Sequence, residues 1–278
     1  MKTTLKDLTA VKENSYFVIE TPENTFRIKK EYDDTADSPR DGLEENLGTM
    51  VCWHRCYTLG DKHDFECPGN FLDALVLKTF SHEELHKMLL SREYGVHMST
   101  QDGVPALVSG RDTVRCYTEE EIRLGWPEED FVEELSVGKK RQILSRHPDV
   151  LLMPLYLYDH SGITISTSEF CDPWDSGQIG FIYTTRARYE AFTLDRGNPD
   201  WKTKAAEYLK AEVSSYDEYL QGFCYYVSID EWCGPDNVDP EDFLTAEPYW
   251  NSCETCGGFL GADDTENGVL DFIAEIVA

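Results

Sequence analysis

His82-Glu-Glu-Leu-His86 has the spacing with the sharpest chemical meaning in the chain. On a helix the two histidines share a face at i and i+4, and Glu83 sits where a general base would activate a zinc-bound water. A zinc-dependent hydrolase using His82, Glu83 and His86 is therefore one reading. Two features pull the other way. Glu84 puts a second charge inside a motif that works in apolar surroundings, and no third ligand follows at a standard spacing. Ser81 and Glu84 also match a capping box, which explains a helix start there without metal.

Cys52, His54 and Cys56 alternate, so on a strand they share one face, with His63 and Cys67 close behind. Cysteine and histidine are zinc ligands. Along an extended strand such residues stand ~6–7 Å apart, too far for one ion without a bulge. The expectation is a half-buried strand carrying small thiols. Cys253-Glu-Thr-Cys256 is a lone C-x-x-C amid carboxylates, which disfavour the thiolate, so a structural role is expected. Asp263-Asp-Thr-Glu-Asn-Gly268 begins like a calcium loop, but its twelfth position is Ala274, with Glu275 one step late. Asp159, His160 and Ser161 are triad residue types, yet neighbours in a turn point apart. No G-x-S-x-G or G-x-G-x-x-G occurs. The chemistry-bearing residues thus predict no catalytic group, no metal and no cofactor.

The elements that would position them read as α+β. A mixed part with helices is expected at 1–145 and an antiparallel, β-rich part at 146–278. Ser15–Glu20 and Thr25–Ile28 flank a Thr-Pro-Glu-Asn turn, a hairpin pattern. Leu47–Leu59 reads as a strand, and Phe71–Thr79 and Ser81–Arg92 as helices. Thr118 with Glu121 opens another helix, and Pro127 a further one. Leu151–Tyr158, Ile163–Thr167 and Gln178–Thr185 alternate with turn residues and predict a β-meander. Thr203–Val213 reads as a helix, Tyr219–Ile229 as a strand, and the C-terminus as a short helix. Nine cysteines, an odd number, argue against a complete disulfide framework. No run approaches the ~18 apolar residues of a membrane span, so a cytoplasmic chain is expected.

Charge is the strongest compositional signal. The chain holds 53 Asp+Glu against 25 Lys+Arg, a formal charge of −28, with 34 aromatic residues to build a core. Direct binding to nucleic acid or to an anionic membrane is disfavoured, since both need a basic face. From Ala211 to Ala278 there are sixteen acids and no Lys, Arg or His, so nothing within that segment cancels the field. Glu119–Glu134 adds eight acids against one Arg. Duplex DNA carries one charge per ~1.7 Å, so 28 charges match roughly 48 Å of duplex. A 278-residue globule is about 48 Å across. Carboxylates gathered on one face would imitate a phosphate backbone; carboxylates spread evenly would serve solubility alone.

Asn46-Leu-Gly-Thr-Met-Val-Cys52 with His54 and Leu59-Gly-Asp61, and Leu155-Tyr-Leu-Tyr-Asp-His-Ser-Gly162 with Pro173-Trp-Asp-Ser-Gly-Gln178, resemble an uncharacterised family of acidic proteins of bacteriophages and mobile elements. Ser252-Cys253, Gly258-Phe-Leu-Gly261 and Asn267-Gly268 are similar to its closing motif, with Glu-Thr-Cys-Gly-Gly-Phe where that family has Trp-Gly-Phe after the cysteine. The resemblance covers 37–61, 151–183 and 219–268. It implies a phage or mobile-element origin and carries no catalytic residues.

Charge and resemblance together predict a non-enzymatic, stoichiometric anti-defence inhibitor in the host cytoplasm. The expected partner is a host defence nuclease of restriction, CRISPR or Gabija type, or its DNA-binding subunit. The expected contact surfaces are Glu119, Glu120, Glu121, Glu128, Glu129, Asp130, Glu133 and Glu134, and Asp230, Glu231, Asp236, Asp239, Glu241 and Asp242. Trp232 and Tyr249 are expected to add apolar anchors. A homo-oligomer is compatible with this, and a phage scaffolding protein is a further alternative.

Overall fold

The N-terminal hairpin is present. In the computed structural model, which describes residues 2–3, 10–41, 46–235 and 249–277, β1 (Lys2–Thr3) runs parallel beside β2 (Tyr16–Glu20), and β2 turns into β3 (Thr25–Tyr32). The Thr21 hydroxyl accepts the Asn24 amide at 3.0 Å to close the turn. The chain continues through β4 (Thr49–Cys52), α1 (Pro68–Thr79) and α2 (His82–Leu90). A meander follows, β5 (Val96–Gln101), β6 (Val104–Ser109) and β7 (Asp112–Cys116), then α3 (Glu119–Leu124), α4 (Glu128–Glu134) and α5 (Val137–Arg146). Next come β8 (Val150–Asp159), β9 (Ile163–Ser166), β10 (Ser176–Thr185), α6 (Arg186–Thr193) and α7 (Trp201–Leu220). The chain closes with β11 (Cys224–Trp232), β12 (Trp250–Leu260) and α8 (Val269–Val277). The class is α+β.

Three sheets result, ordered β1-β2-β3-β11-β12, β4-β10-β8-β9 and β5-β6-β7. The first two mix strands from both sides of residue 145, so a division at 145/146 cuts each of them. The four-stranded sheet is the middle layer. Val51 and Phe181 face a core with α1, α2, α4 and α5, while Met50, Leu155 and Ile182 face α7. A bulge at Ile179 shifts the β10 register between Gln178 and Gly180. Gly180 has to be glycine: a Cβ there would lie 2.1 Å from the Val51 carbonyl oxygen. On α7 the buried Trp201, Ala205, Leu209, Val213 and Tyr216 recur at helical spacing. On α8 Val269, Ile273 and Val277 do the same against Ile19, Ile28, Val227 and Ile229 of the five-stranded sheet. Each such side chain contributes roughly 1.5–3 kcal/mol when buried.

Several expectations need correction. The strand expected over Leu47–Leu59 ends at Cys52, because the Trp53 amide caps it on the Ile179 carbonyl at 2.7 Å and the chain then loops away. Tyr219 belongs to α7, whose last turn is closed before Gly222 at φ +80°. Pro127 is the N-cap of α4 rather than its first helical residue. No helix among the described residues is long and apolar enough to cross a membrane.

Candidate partner-binding surface

The Glu119–Glu134 run folds into two short helices because its ends are capped locally. Thr118 Oγ1 accepts the Glu121 amide at 3.2 Å, and the Glu121 carboxylate accepts the Thr118 amide at 2.7 Å. Glu119, Glu120 and Glu121 thereby occupy the first turn of α3, where carboxylates complement the helix dipole. Gly125 ends α3. Phe131 and Val132 sink into the core and hold α4 down with Glu129, Glu133 and Glu134 outward.

The eight acids have different fates. Asp130 accepts Arg115 Nη1 at 2.9 Å and the Tyr117 hydroxyl at 2.6 Å, and Glu121 accepts Arg115 Nη2 at 3.2 Å. Donation from the Thr118 amide and hydroxyl lowers the Glu121 pKa; burial, with the Asp130 bond, raises that of Tyr117. Glu128, largely buried, holds His82 Nδ1 at 2.5 Å. Glu120 lies 3.9 Å from Arg123, a loose pair in water. Glu119, Glu129, Glu133 and Glu134 are exposed and make no side-chain ion pair with any described residue. Between the helices Leu124 is 80 % exposed and Trp126 40 %. Both border a groove of about 640 Å³ floored by Leu77, Phe80 and Leu85 and edged by Glu121, Glu128, Glu129 and Asp130. Leu124 and Trp126 were not expected as contact residues; of the five large apolar residues in this acidic run, Phe131 and Val132 are buried and Ile122 packs against the core, which leaves these two exposed.

Of the second acidic surface, the described residues are Asp230, Glu231, Trp232 and Tyr249. Asp230 is not presented outward: it accepts Arg27 Nε at 2.8 Å and its side chain is 18 % exposed. Two more acids from the cation-free segment are neutralised in the same way. Buried Lys30 holds Asp264 at 2.8 Å, and Arg40 holds Glu212 at 3.0 Å. The field of residues 211–278 is thus cancelled in part by cations from residues 27–40. Glu231 is half-buried, and Trp232 packs its ring 5.0 Å from Trp250 and 5.5 Å from Tyr249. Trp232 is therefore part of a local cluster of tilted and edge-on aromatic rings, while Tyr249 remains 43 % exposed. Asp236, Asp239, Glu241 and Asp242 lie outside the described residues.

The remaining chemical candidates do not converge. His82 turns to Glu128, Glu83 pairs with Lys87 at 2.8 Å, and His86 stands edge-on to Trp126 at 4.3 Å between centroids. Cys52 is buried, which pushes its thiol up to about 12, while His54 stacks on Tyr57 outside the sheet and Cys56 is exposed. The alternating face expected for Cys52, His54 and Cys56 is absent because the strand ends between them. Asp264 of the calcium-like segment is spent on Lys30, the Val11 amide and Asn267. Among the described residues no three His, Cys, Asp or Glu side chains are grouped to hold a metal ion.

Most residues of the first quoted motif act as scaffold. Arg40 bonds both Asp61 oxygens at 2.8 Å and the Gly48 carbonyl at 2.8 Å. Asp61 also accepts the Met50 amide, and Glu212 the Leu47 and Gly48 amides. A Cβ on Gly48 would meet Leu209 at 2.5 Å. These residues fasten β4 to α7. Compared with known proteins, the chain matches no protein-family model, no curated protein and no solved structure.

Proposed function

We propose that the protein is a stoichiometric, non-enzymatic inhibitor whose α3–α4 face binds the basic cleft of a DNA-acting protein. The observation that carries this reading is the run of exposed, unpaired carboxylates Glu119, Glu129, Glu133 and Glu134 around the exposed Leu124 and Trp126. A magnitude supports it. Sixteen residues at ~1.5 Å rise make roughly 24 Å of contour. Eight acids less Arg115 and Arg123 leave six net charges, roughly one per 4 Å, near the ~3.4 Å spacing of one DNA strand. The apolar pair adds desolvated contact that a phosphate backbone lacks.

The resemblance to phage and mobile-element proteins makes a host defence nuclease, or its DNA-binding subunit, the partner we favour, in the host cytoplasm. The test is capture of host proteins on the immobilised chain. A captured DNA-acting protein that duplex DNA displaces, and that the combined Glu119→Gln, Glu129→Gln, Glu133→Gln, Glu134→Gln variant fails to hold, supports the reading. Capture indifferent to both duplex DNA and the four substitutions contradicts it.

A further inference from the structure

Trp174 is 93 % exposed, more than any other large apolar side chain among the described residues. It sits at the tip of the β9–β10 connection, on a turn that is over-determined. Asp172 Oδ1 accepts the Trp174 amide at 2.8 Å and the Asp175 amide at 3.3 Å, and the Ser176 hydroxyl donates to the Asp172 carbonyl. From the β8–β9 side, the Asp159 amide donates to the Asp175 carbonyl at 2.8 Å, and His160 Nδ1 lies 3.0 Å from Asp175 Oδ2. Pro173 restricts the backbone immediately before the indole. A turn this tightly bonded can satisfy itself with a polar residue at its tip. It instead holds the largest apolar side chain out in water on a backbone that is already ordered, so docking it loses little backbone entropy.

The carboxyl-bearing residues bonded into the turn are Asp159, Asp172 and Asp175, and no Lys or Arg falls in the sequence between Arg146 and Arg186. Such a rim repels phosphates, anionic lipid and a second copy of itself. It complements a protein pocket with an apolar floor and a Lys/Arg rim. We propose that Trp174 is a second anchor, inserted into an apolar, cation-rimmed pocket of a protein partner. This rests on the reading that the chain works by binding a basic protein, but not on the α3–α4 face.

The two contacts differ in kinetics. Rim carboxylates act through the association rate and salt, and a buried aromatic acts through dissociation. The test places the photoreactive p-benzoylphenylalanine at position 174 of the full chain in bacterial cells, with position 190 as control. Expected is a 174-specific adduct with a host protein, mapped to an apolar peptide flanked by Lys or Arg. With that protein purified, Trp174→Ala speeds dissociation roughly 30-fold at any salt and Trp174→Phe keeps part of the affinity. The four Gln substitutions in α3–α4 slow association instead. No adduct, an adduct with lipid, nucleic acid or a second copy, or a dissociation rate changed less than about threefold overturns the anchor. If only the Gln substitutions are silent, the α3–α4 reading fails and the anchor stands.

Discussion

Two segments of this chain are strongly acidic by sequence, sixteen acids in the 68 residues 211–278 and eight in the sixteen residues 119–134, and they differ in what the fold does with them. In residues 211–278 three acids are drawn inward onto cations supplied more than 170 residues away: Arg27 to Asp230, Lys30 to Asp264 and Arg40 to Glu212. In Glu119–Glu134 the partners are local and few, and four carboxylates reach solvent unpaired. The difference teaches that a one-signed stretch is a surface only where no distant cation folds against it. In the first segment three acids hold distant parts of the molecule together while Glu254, Asp263, Glu266, Asp271 and Glu275 stay exposed without an ion pair to a described residue; in the second the exposed carboxylates flank exposed apolar side chains.

The comparison is broken most forcefully through the buried pairs. Arg40→Ala strands Asp61 and Glu212 without their cation, and loss of about 3–5 kcal/mol is expected in chemical denaturation. Lys30→Met should act similarly through Asp264. A loss under about 1 kcal/mol in both would mean that the C-terminal acids are not internally neutralised. Thr118→Ala removes the α3 cap and is expected to lower stability by about 1 kcal/mol. The four Gln substitutions at Glu119, Glu129, Glu133 and Glu134 should leave stability within about 0.5 kcal/mol each, because no fold contact is removed. Destabilisation comparable to Arg40→Ala would place those acids in the scaffold.

A smaller effect sharpens the contrast by pH. Glu121 has its pKa lowered, first by the Thr118 amide and then by the hydroxyl. Its contribution is present above the unfolded value near 4.3 and is lost as pH falls through the folded value. Asp217, raised first by burial, has the opposite sign. It binds a proton more readily folded than unfolded, so stability falls as pH rises from its unfolded value, near 3.9, through its folded one. Thermal melts between about pH 3 and 7 should show Glu121→Gln weakening the acid-side loss and Asp217→Asn weakening the opposing slope. Identical slopes in both variants would contradict the assignment.

Much of the architecture was legible where the signal was local. The capping boxes at Ser81 and Thr118 need only residues three apart, and both formed. The β5–β6 turn carries an equally local signal: Asp102-Gly103, both at positive φ, joins Val96–Gln101 to the apolar run Val104–Ser109. β12 hid because it is exposed on both faces and shows no alternation. The site was half legible. The density of acids in Glu119–Glu134 is a property of the chain, but which carboxylates stay uncovered depends on pairs such as Lys30 with Asp264, 234 residues apart.

The central claim concerns availability of the α3–α4 carboxylates, and the association rate tests it most directly. Rates for the captured DNA-acting protein would be compared at about 50 and about 300 mM salt, with the unaltered chain and with the four-Gln chain. The account predicts at least a roughly tenfold fall with salt for the unaltered chain, and a slower, nearly salt-independent rate for the variant. Equal rates for the two chains at both salts would contradict it.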